Sequence, residues 1–281
     1  MTQSMTQSMT HSVTMAQQMI KKVLSHFNDS REAQHYLKRY HADEQKFAVV
    51  KVGGGIIADE LSELTESLAM LSQMGLTPII IHGGGIQIEQ AMTEAGITSV
   101  KKDGLRVTPD SDMQLIEQVM SEINQSVVDS LAQWSVPAQG FNQGVFACQL
   151  IDQSKYGSVG EVNALQLAKV KACLAEGVIP VLSCLGYIPK SNQVVNINAD
   201  TATRALVAAI KPHKTLFVTP TGGLLNGDKQ IISAIQLQHD YEHLMSQPWL
   251  HSGMKLKLQQ INSLLEMMDA DHSVSITSCQ N

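Results

Sequence analysis

Lys51 and the glycines that follow it are the residues of this sequence that most clearly could do chemistry. Lys51 stands near the end of an apolar stretch, and three glycines occupy positions 53–55. An ammonium group is costly at the end of a buried strand unless an anion meets it. Consecutive glycines let backbone N–H groups approach a phosphate. The pattern favours a phosphate ligand for Lys51, although this lysine could instead reach solvent or pair with a carboxylate.

A second glycine run, at positions 83–85, directly follows another apolar stretch that ends at His82. Neither run is a Walker A loop, because no Gly-Lys-Ser/Thr follows Gly55. Gly53, Gly55 and Ala58 do satisfy G-x-G-x-x-A, the spacing of dinucleotide-binding loops. That fingerprint expects an acidic residue at the end of the second strand, where this chain has His82. The glycine spacing leaves a nicotinamide site open as an alternative, but His82 at that position argues against it.

Three polar residues, Asn196, Asn198 and Asp200, alternate along a short predicted strand. Side chains two apart on a strand project to the same face, so these three are expected to share one. Asp200 also precedes a helical pattern, where its carboxylate could simply cap the helix. Farther along, Lys255 and Lys257 open another helix and point in different directions, so one could enter a site while the other is solvated.

Arg106 lies in the segment Gly-Leu-Arg-Val-Thr. A guanidinium group offers a planar fork that binds a carboxylate through two hydrogen bonds. The segment is consistent with a ligand carboxylate at Arg106, and equally with a structural salt bridge.

The elements that must position these residues alternate between strands and helices. Apolar residues predict strands over 47–52 and 78–82, each followed by a helical pattern, the first of them capped by Asp59. Thr108 is expected to cap a long helix from Pro109 to about Trp134. Further expected elements are hairpins in 136–162, helices over 165–176, 201–210 and 255–268, and strands over 179–185, 193–197, 215–218 and 273–277.

This pattern of about eight strands alternating with helices predicts an α/β protein, a three-layer α/β/α sandwich with a mostly parallel central sheet. Both glycine runs would then lie at the carboxyl ends of strands, where open α/β sheets bind ligands. Residues 1–14, nearly a repeat of Met-Thr-Gln-Ser, predict a disordered tail. Residues 15–45 predict an amphipathic helical segment, either packed on its own domain or serving as an arm for oligomerisation or regulation.

Composition narrows the class of partner. The net charge of −6 argues against nucleic acid. No apolar run reaches the roughly 18 residues of a membrane helix, so no membrane partner is expected. The four cysteines show no C-x-x-C spacing, which is typical of reduced thiols in a cytoplasmic protein and predicts no metal site.

Taken in order, the two glycine runs, GLRVT, NINAD and GMKLK resemble the amino-acid kinase family from about Lys46 to Thr277. The resemblance is closest to kinase portions of enzymes in which an acetyltransferase follows on the same chain. It implies the fold of that family over 46–281, with an acceptor-side lobe at about 46–190 and a nucleotide-side lobe at about 191–281. It implies ATP-dependent phosphorylation of N-acetyl-L-glutamate in arginine biosynthesis, with Mg²⁺, a homo-oligomer and possible inhibition by arginine.

The resemblance also implies roles for particular residues. Lys51 and Lys257 would neutralise the transferring phosphoryl group, and Asp200 would orient both lysines. The residues implied to hold acetylglutamate are Gly83, Gly84, Arg106 and Asn196. The residues implied to hold ATP are Gly53, Gly54, Thr219, Thr221, Gly222, Gly223 and Leu225. No protein ligand for the metal is expected.

Two positions depart from the family pattern, and one rival function follows from the family. Ile86 stands where a proline is common, and Pro220 stands where free-standing kinases usually carry an aspartate. The rival is a non-catalytic arginine-sensing domain of an acetylglutamate synthase. In such domains the lysine of the first glycine motif is lost, whereas Lys51 is present here.

Overall fold

The computed structural model describes residues 48–73, 75–232, 237–250, 252–268 and 272–279. The side chains of 237–239, 252–254, 256, 257 and 260 lie outside that description. The predicted tail at 1–14 and the predicted helical segment at 15–45 also lie outside the described residues and stay predictions.

The described strands and helices alternate along most of the chain. The strands are β1 (Ala48–Val52), β2 (Ile79–His82), β3 (Lys101–Lys102), β4 (Leu105–Arg106), β5 (Ala138–Phe141), β6 (Phe146–Leu150), β7 (Gly160–Leu165), β8 (Ile179–Ser183), β9 (Leu185–Tyr187), β10 (Val194–Asn196), β11 (Lys214–Val218) and β12 (Ser273–Thr277). The helices are α1 (Gly54–Asp59), α2 (Leu61–Gln73), α3 (Gly85–Glu94), α4 (Met113–Gln133), α5 (Gln153–Tyr156), α6 (Ala168–Ala175), α7 (Ala199–Ile210), α8 (Leu237–Ser246) and α9 (Ser252–Glu266).

A six-stranded sheet in the order β12-β11-β1-β2-β8-β5 forms the centre of the molecule, and every neighbouring pair in it is parallel. The strands end level with one another, since Val52 pairs with both Val218 and His82. The carboxyl ends therefore form one edge, and both glycine runs leave the sheet there. The predicted parallel α/β fold is confirmed.

Helices cover both faces of this sheet, which explains why its strands are almost continuously apolar. On one side α4 packs against β5 and β8 and also contacts α2 and α3. On the other, α7 contacts β1 and β2, and α9 packs against α7. The inner strands β1, β2 and β8 are buried along nearly their whole length, and they anchor a single large hydrophobic core. This is the predicted three-layer arrangement.

Two smaller sheets stand beside the central one. A mixed sheet in the order β10-β9-β6-β7 contains a bulge between Ala147 and Cys148, and β3 with β4 makes a separate hairpin. The hairpin prediction for 136–162 is right for β6 and β7, which are antiparallel, but wrong for β5, which belongs to the central parallel sheet. The described part of the chain has twelve strands rather than about eight.

Several predicted element boundaries were wrong. Thr108 does not cap a helix, because its backbone is tied to 156–158 through hydrogen bonds on both sides and its hydroxyl donates to the Arg106 carbonyl at 2.9 Å. A 3₁₀ turn at 110–112 then leads into α4. Asp59 ends α1 instead of capping α2, because the helix already begins at Gly54.

The helix expected over 165–176 is also displaced, since Leu165 is the last residue of β7 and α6 begins at Ala168. Pairing with β6 extends β7 as far as Leu165, so the helix can start only after the strand has ended. Across the described ranges, no helix combines the length and the apolar character that crossing a membrane requires.

Candidate active site

The loops of the site begin at one level because the backbone ladder continues one residue past the strands. Gly53 N–H donates to the Val218 carbonyl at 3.3 Å, and Gly83 N–H donates to the Val52 carbonyl at 3.1 Å. Thr219 N–H donates to the Thr277 carbonyl at 2.8 Å. The first glycine run, the second glycine run and the turn after β11 are thus held side by side at the carboxyl edge.

Lys51 and Asp200 form an ion pair at the centre of this edge. Lys51 Nζ lies 2.8 Å from Asp200 Oδ1, with the side chains 12% and 26% exposed. The carboxylate alternative for Lys51 is therefore realised, and it is realised by a residue that was itself predicted to belong to the site. Apart from this ionic contact, Oδ1 has no hydrogen-bond partner among the described residues.

Asn198, and not Asp200, caps α7. Its Oδ1 accepts hydrogen bonds from the backbone N–H groups of Asp200 at 2.9 Å and Thr201 at 3.1 Å. The capping alternative for Asp200 was therefore wrong, and the preference of asparagine for N-cap positions was the signal that could have shown it. Because Asn198 satisfies the helix terminus, the Asp200 carboxylate is left to pair with Lys51.

A cavity of about 160 Å³ opens at the second glycine run and the start of α7. All four residues predicted to hold the acceptor line it, namely Gly83, Gly84, Arg106 and Asn196. Its wall also includes the cap residue Asn198 and the thiol of Cys184, whose pKa burial raises to about 12. The cavity therefore combines backbone, amide and guanidinium donors with apolar surface, as small-molecule sites generally do.

Arg106 is buried and already has several acceptors. Its Nη2 donates to the Gly85 carbonyl at 2.9 Å and to Glu89 Oε2 at 3.1 Å, and its Nη1 donates to the Ser99 hydroxyl. Glu89 Oε2 is also 3.1 Å from Lys101 Nζ, and Lys101, followed by Arg106, lowers the pKa of the Glu89 carboxyl. The structure thus gives Arg106 both a salt bridge and a place in the cavity wall.

Asn196 and Asp200 do not share one face as predicted. β10 ends at Asn196 and α7 begins at Ala199, so the alternation of a strand does not continue to Asp200. Asn196 and Asn198 line the cavity, whereas Asp200 turns towards Lys51. Asn196 is fixed by donating from Nδ2 to the Thr108 hydroxyl at 3.1 Å.

Most of the residues predicted to hold ATP follow β11, on the opposite side of β1 from β2, whereas Gly53 and Gly54 follow β1 itself. Thr219 is buried, and Gly222 has φ of +68° and closes a tight turn by donating to the Thr219 carbonyl at 3.0 Å. A Cβ on Gly55 would lie 3.1 Å from Pro220, so the first glycine run packs against this turn. None of the predicted ATP residues lines the cavity beside Arg106.

Gly223 and Leu225 continue this segment towards Ile231. A Cβ on Gly223 would lie 2.6 Å from the Ile231 side chain, and Leu225 forms an isolated antiparallel bridge with Ile231. Thr221 donates weakly to the Gly223 carbonyl at 3.5 Å. Lys257 belongs to α9, which packs against α7, but its side chain lies outside the described residues.

His82, at the end of β2, directly precedes the second glycine run and contacts the Gly83 carbonyl. It is fully buried, and burial lowers its pKa to about 4. The neutral ring therefore has one donor and one acceptor. Nδ1, 3.2 Å from the Gly83 carbonyl, is the donor, and Nε2 accepts from Asn124 Nδ2 at 3.0 Å. Sequence reasoning noticed His82 only as the absence of an acidic residue.

Within the described part of the chain, no group of three or more histidine, cysteine, aspartate or glutamate residues could hold a metal ion. The carboxylate nearest the centre of the site, Asp200, is paired with Lys51.

The fold and the loops define a class, namely α/β proteins that bind small ligands at the carboxyl edge of a parallel sheet. A profile of the Amino acid kinase family matches residues 46–278. The chain belongs to that family.

Curated acetylglutamate kinases are similar in sequence to this chain. The chain is 43% identical over 249 residues to an acetylglutamate kinase of Xylella fastidiosa, a match that covers 88% of this chain and 59% of the relative. It is 31% identical to an acetylglutamate kinase of Prochlorococcus marinus, covering 86% and 82% of the two chains. The chain thus spans about three fifths of the length of the first curated relatives it matches.

One solved structure is similar in fold alone. N-acetylglutamate synthase from Neisseria gonorrhoeae, in complex with coenzyme A and L-arginine, superposes with a TM-score of 0.75 at 18% identity. The match covers 89% of this chain and 61% of that one.

Proposed function

We propose that this protein transfers the γ-phosphoryl group of ATP to the γ-carboxylate of N-acetyl-L-glutamate, a step of arginine biosynthesis. One observation carries the proposal: Lys51, paired with Asp200, lies on β1, and the neighbouring strands lead on one side into the glycine run that lines the Arg106 cavity and on the other into the turn that follows β11. That is where a cation is needed if an acceptor and a nucleotide meet. The names of the relatives supply the particular acceptor.

The acceptor would bind through the residues that line the cavity. Arg106 holds its α-carboxylate through the planar fork, with Glu89 giving up part of its contact. Asn196 and the second glycine run orient the rest of the molecule. A glutamate-type carboxyl has a pKa near 4.3, so at neutral pH it is already ionised and needs no general base to act as the nucleophile.

Phosphoryl transfer then rests on positioning and on cations that offset charge on the moving group. Lys51 supplies one cation, and Asp200 holds its ammonium group in place. Lys257 supplies the second from α9, and Asp200 orients it as well. The predicted ATP residues at 53–54 and 219–225 contact the nucleotide. Bound Mg²⁺ supplies further positive charge, and we assign its ligands to ATP oxygens and water, since the described residues form no ligand cluster.

The organisation of the chain follows from this assignment. Residues 46–281 form the kinase domain, with the acceptor on the side of 46–190 and the nucleotide on the side of 191–281. The four cysteines are free thiols, which fits a reducing compartment such as the cytoplasm. A homo-oligomer belongs to the proposal as well.

The proposal is tested by ADP release with N-acetyl-L-glutamate, L-glutamate and L-aspartate assayed in parallel. Acetylglutamate should be turned over far faster than the other two, because only it offers an uncharged acetamido group to the cavity. Equal rates on all three would contradict the acceptor assignment. Absence of turnover together with tight arginine binding would favour the arginine-sensing alternative.

Arginine inhibition is a separate part of the proposal, supported by the position of residues 15–45 and by family. Arginine should slow the kinase, and deletion of residues 1–40 should abolish that response while turnover persists. An unchanged arginine response in the deleted protein would argue against a regulatory role for this segment.

A further inference from the structure

Gln87 connects the two glycine runs through its side chain. It lies in the first turn of α3, directly after the second glycine run. Its Nε2 donates to the carbonyl of Gly54 at 2.8 Å, across 33 positions of the chain. Gly54 is the first residue of α1, in the first glycine run. A side chain of the acceptor-side element therefore holds the backbone of the nucleotide-side element.

The orientation of the Gln87 amide is fixed by this contact, because the reversed amide would place two carbonyl oxygens together. Its Oε1 is buried and has no hydrogen-bond partner among the described residues. A buried acceptor without a partner lowers the stability of the fold. The hydrogen bond to Gly54 thus places the amide at the junction of the two glycine runs, although its other polar atom has no partner there.

Glycine at position 54 is what lets the amide approach. A Cβ on Gly54 would lie 2.7 Å from Gln87 Oε1 and 3.4–3.5 Å from the backbone nitrogens of Ile86 and Gly85. The start of α1 and the start of α3 are thus in contact, with the Gln87 amide between them. The ladder bond between Gly83 and Val52 sets the loops only at the level of the sheet.

We propose that Gln87 is a positioning residue that fixes the separation of the two glycine runs, and hence the distance between nucleotide and acceptor. This inference rests on the proposed function. In-line transfer requires reacting atoms about 3–3.5 Å apart, and a displacement of about 1 Å can cost about 100-fold in rate. Gln87 does not need to touch either substrate to have this effect.

The first test is Gln87→Leu, which keeps the size of the side chain and removes both amide functions. We expect kcat to fall about 10- to 100-fold. KM for ATP and for acetylglutamate should change little, because the groups that bind each substrate remain. Gln90→Leu is the matched control, since Gln90 is exposed on the same helix. Its kinetics should equal those of the wild type.

The second test is Gln87→Glu, assayed for kcat against pH together with wild type. A protonated carboxyl can donate to the Gly54 carbonyl, whereas an ionised one would repel it. The ratio of variant to wild-type kcat should therefore rise as the pH falls, while the same ratio for Gln87→Leu stays flat. A purely structural role would not produce that difference.

Four outcomes decide the matter. A wild-type kcat in Gln87→Leu would overturn the inference, whether KM is unchanged or raised. If Gln87→Leu does not fold, the pH profile of Gln87→Glu decides, and a flat ratio overturns it. Inactivity of the folded wild type would overturn the proposed function and this inference together. If wild type and Gln90→Leu are both active, a contradictory result with the Gln87 variants overturns only the positioning role of Gln87.

Discussion

At the scale of single residues, the site contains two cationic side chains, each paired with a carboxylate. Lys51 is 12% exposed and pairs with Asp200, and Arg106 is 9% exposed and pairs with Glu89. Both cations therefore keep a carboxylate partner when no substrate is present. This lowers the cost of burying them and holds each group where an anionic ligand can reach it.

Lys51→Ala should reduce kcat by about two to three orders of magnitude, the scale seen when a charge-stabilising group is removed from an active site. The fold should persist, because the side chain stands at the open end of β1. The check is steady-state ADP release together with circular dichroism. Lys190→Ala, an exposed lysine, is the control and should behave as wild type. Near-normal turnover in Lys51→Ala would remove its assigned role.

Arg106→Lys tests the carboxylate fork. Lysine retains the charge but not the planar pair of donors, so KM for acetylglutamate should rise by about 10- to 100-fold. KM for ATP should stay close to normal, because Arg106 lines only the acceptor side. Arg204→Lys, at an exposed position of α7, is the control. An equal rise in both KM values would contradict the assignment.

At the scale of elements, the site depends on contacts between segments distant in sequence. Gly157 shows this most clearly. Its φ is +71°, and a Cβ there would overlap the Thr108 carbonyl oxygen. The bridge between Gly157 and Thr108 brings the chain after Arg106 alongside the mixed sheet, where Asn196 donates to the Thr108 hydroxyl.

Gly157→Ala should therefore destabilise the protein by about 2–5 kcal/mol, because its backbone conformation (φ +71°, ψ −136°) strongly favours glycine and a Cβ would also clash with the backbone. Gly177→Ala is the control, because Gly177 also has a φ of +71° but has open space around it. Strain alone predicts about 1–2 kcal/mol there. Urea denaturation measures both, and equal losses would show that the contact with Thr108 adds nothing.

His82 predicts a pH dependence of stability. Its pKa is about 4 in the folded protein against an ordinary value of 6.5, so below pH 6.5 the unfolded chain binds the extra proton first. Stability should therefore fall as the pH drops from 6.5 towards 4. By pH 4.5 the contribution of this group is about 2–3 kcal/mol.

His82→Gln should remove that contribution from the difference between the free energies of unfolding at pH 7 and pH 4.5. Urea titrations at the two pH values measure it, with His243→Gln, at an exposed position, as the control. If His82→Gln loses as much stability on acidification as wild type does, the buried neutral imidazole is not responsible.

At the scale of the whole molecule, the segments before and after the proposed lobe boundary share one sheet. β1, β2 and β8 precede the proposed boundary near residue 190, while β11 and β12 follow it, and the two sets are adjacent. The two lobes are therefore not separate folding units in this structure, even though they are expected to bind different substrates.

Thermal unfolding should accordingly show one cooperative transition. N-acetyl-L-glutamate at about 100 times its dissociation constant should stabilise the protein by about 2.7 kcal/mol and raise the midpoint. ATP should do the same independently, and Arg106→Ala should lose only the shift caused by acetylglutamate. Calorimetry makes the measurement. Two separate transitions, one shifted by each ligand, would contradict the shared sheet.

The sequence by itself determined the parallel sheet and the two glycine runs at its carboxyl edge. These follow from local pattern, since apolar strands ending in glycine, as at Val52 and His82, are visible within a few residues. The identities of Lys51, Arg106 and Asn196 as site candidates came from the same short segments.

Only the tertiary structure decided which partners these residues have. Residue spacing could not show that Asn198 caps α7 while Asp200 pairs with Lys51. It also could not show that Glu89 pairs with Arg106, or that Gln87 donates to the Gly54 carbonyl. The physical reason is that such contacts depend on the register of strands and on where helices begin. A shift of one or two residues, as at the start of α7, redirects a side chain from one partner to another.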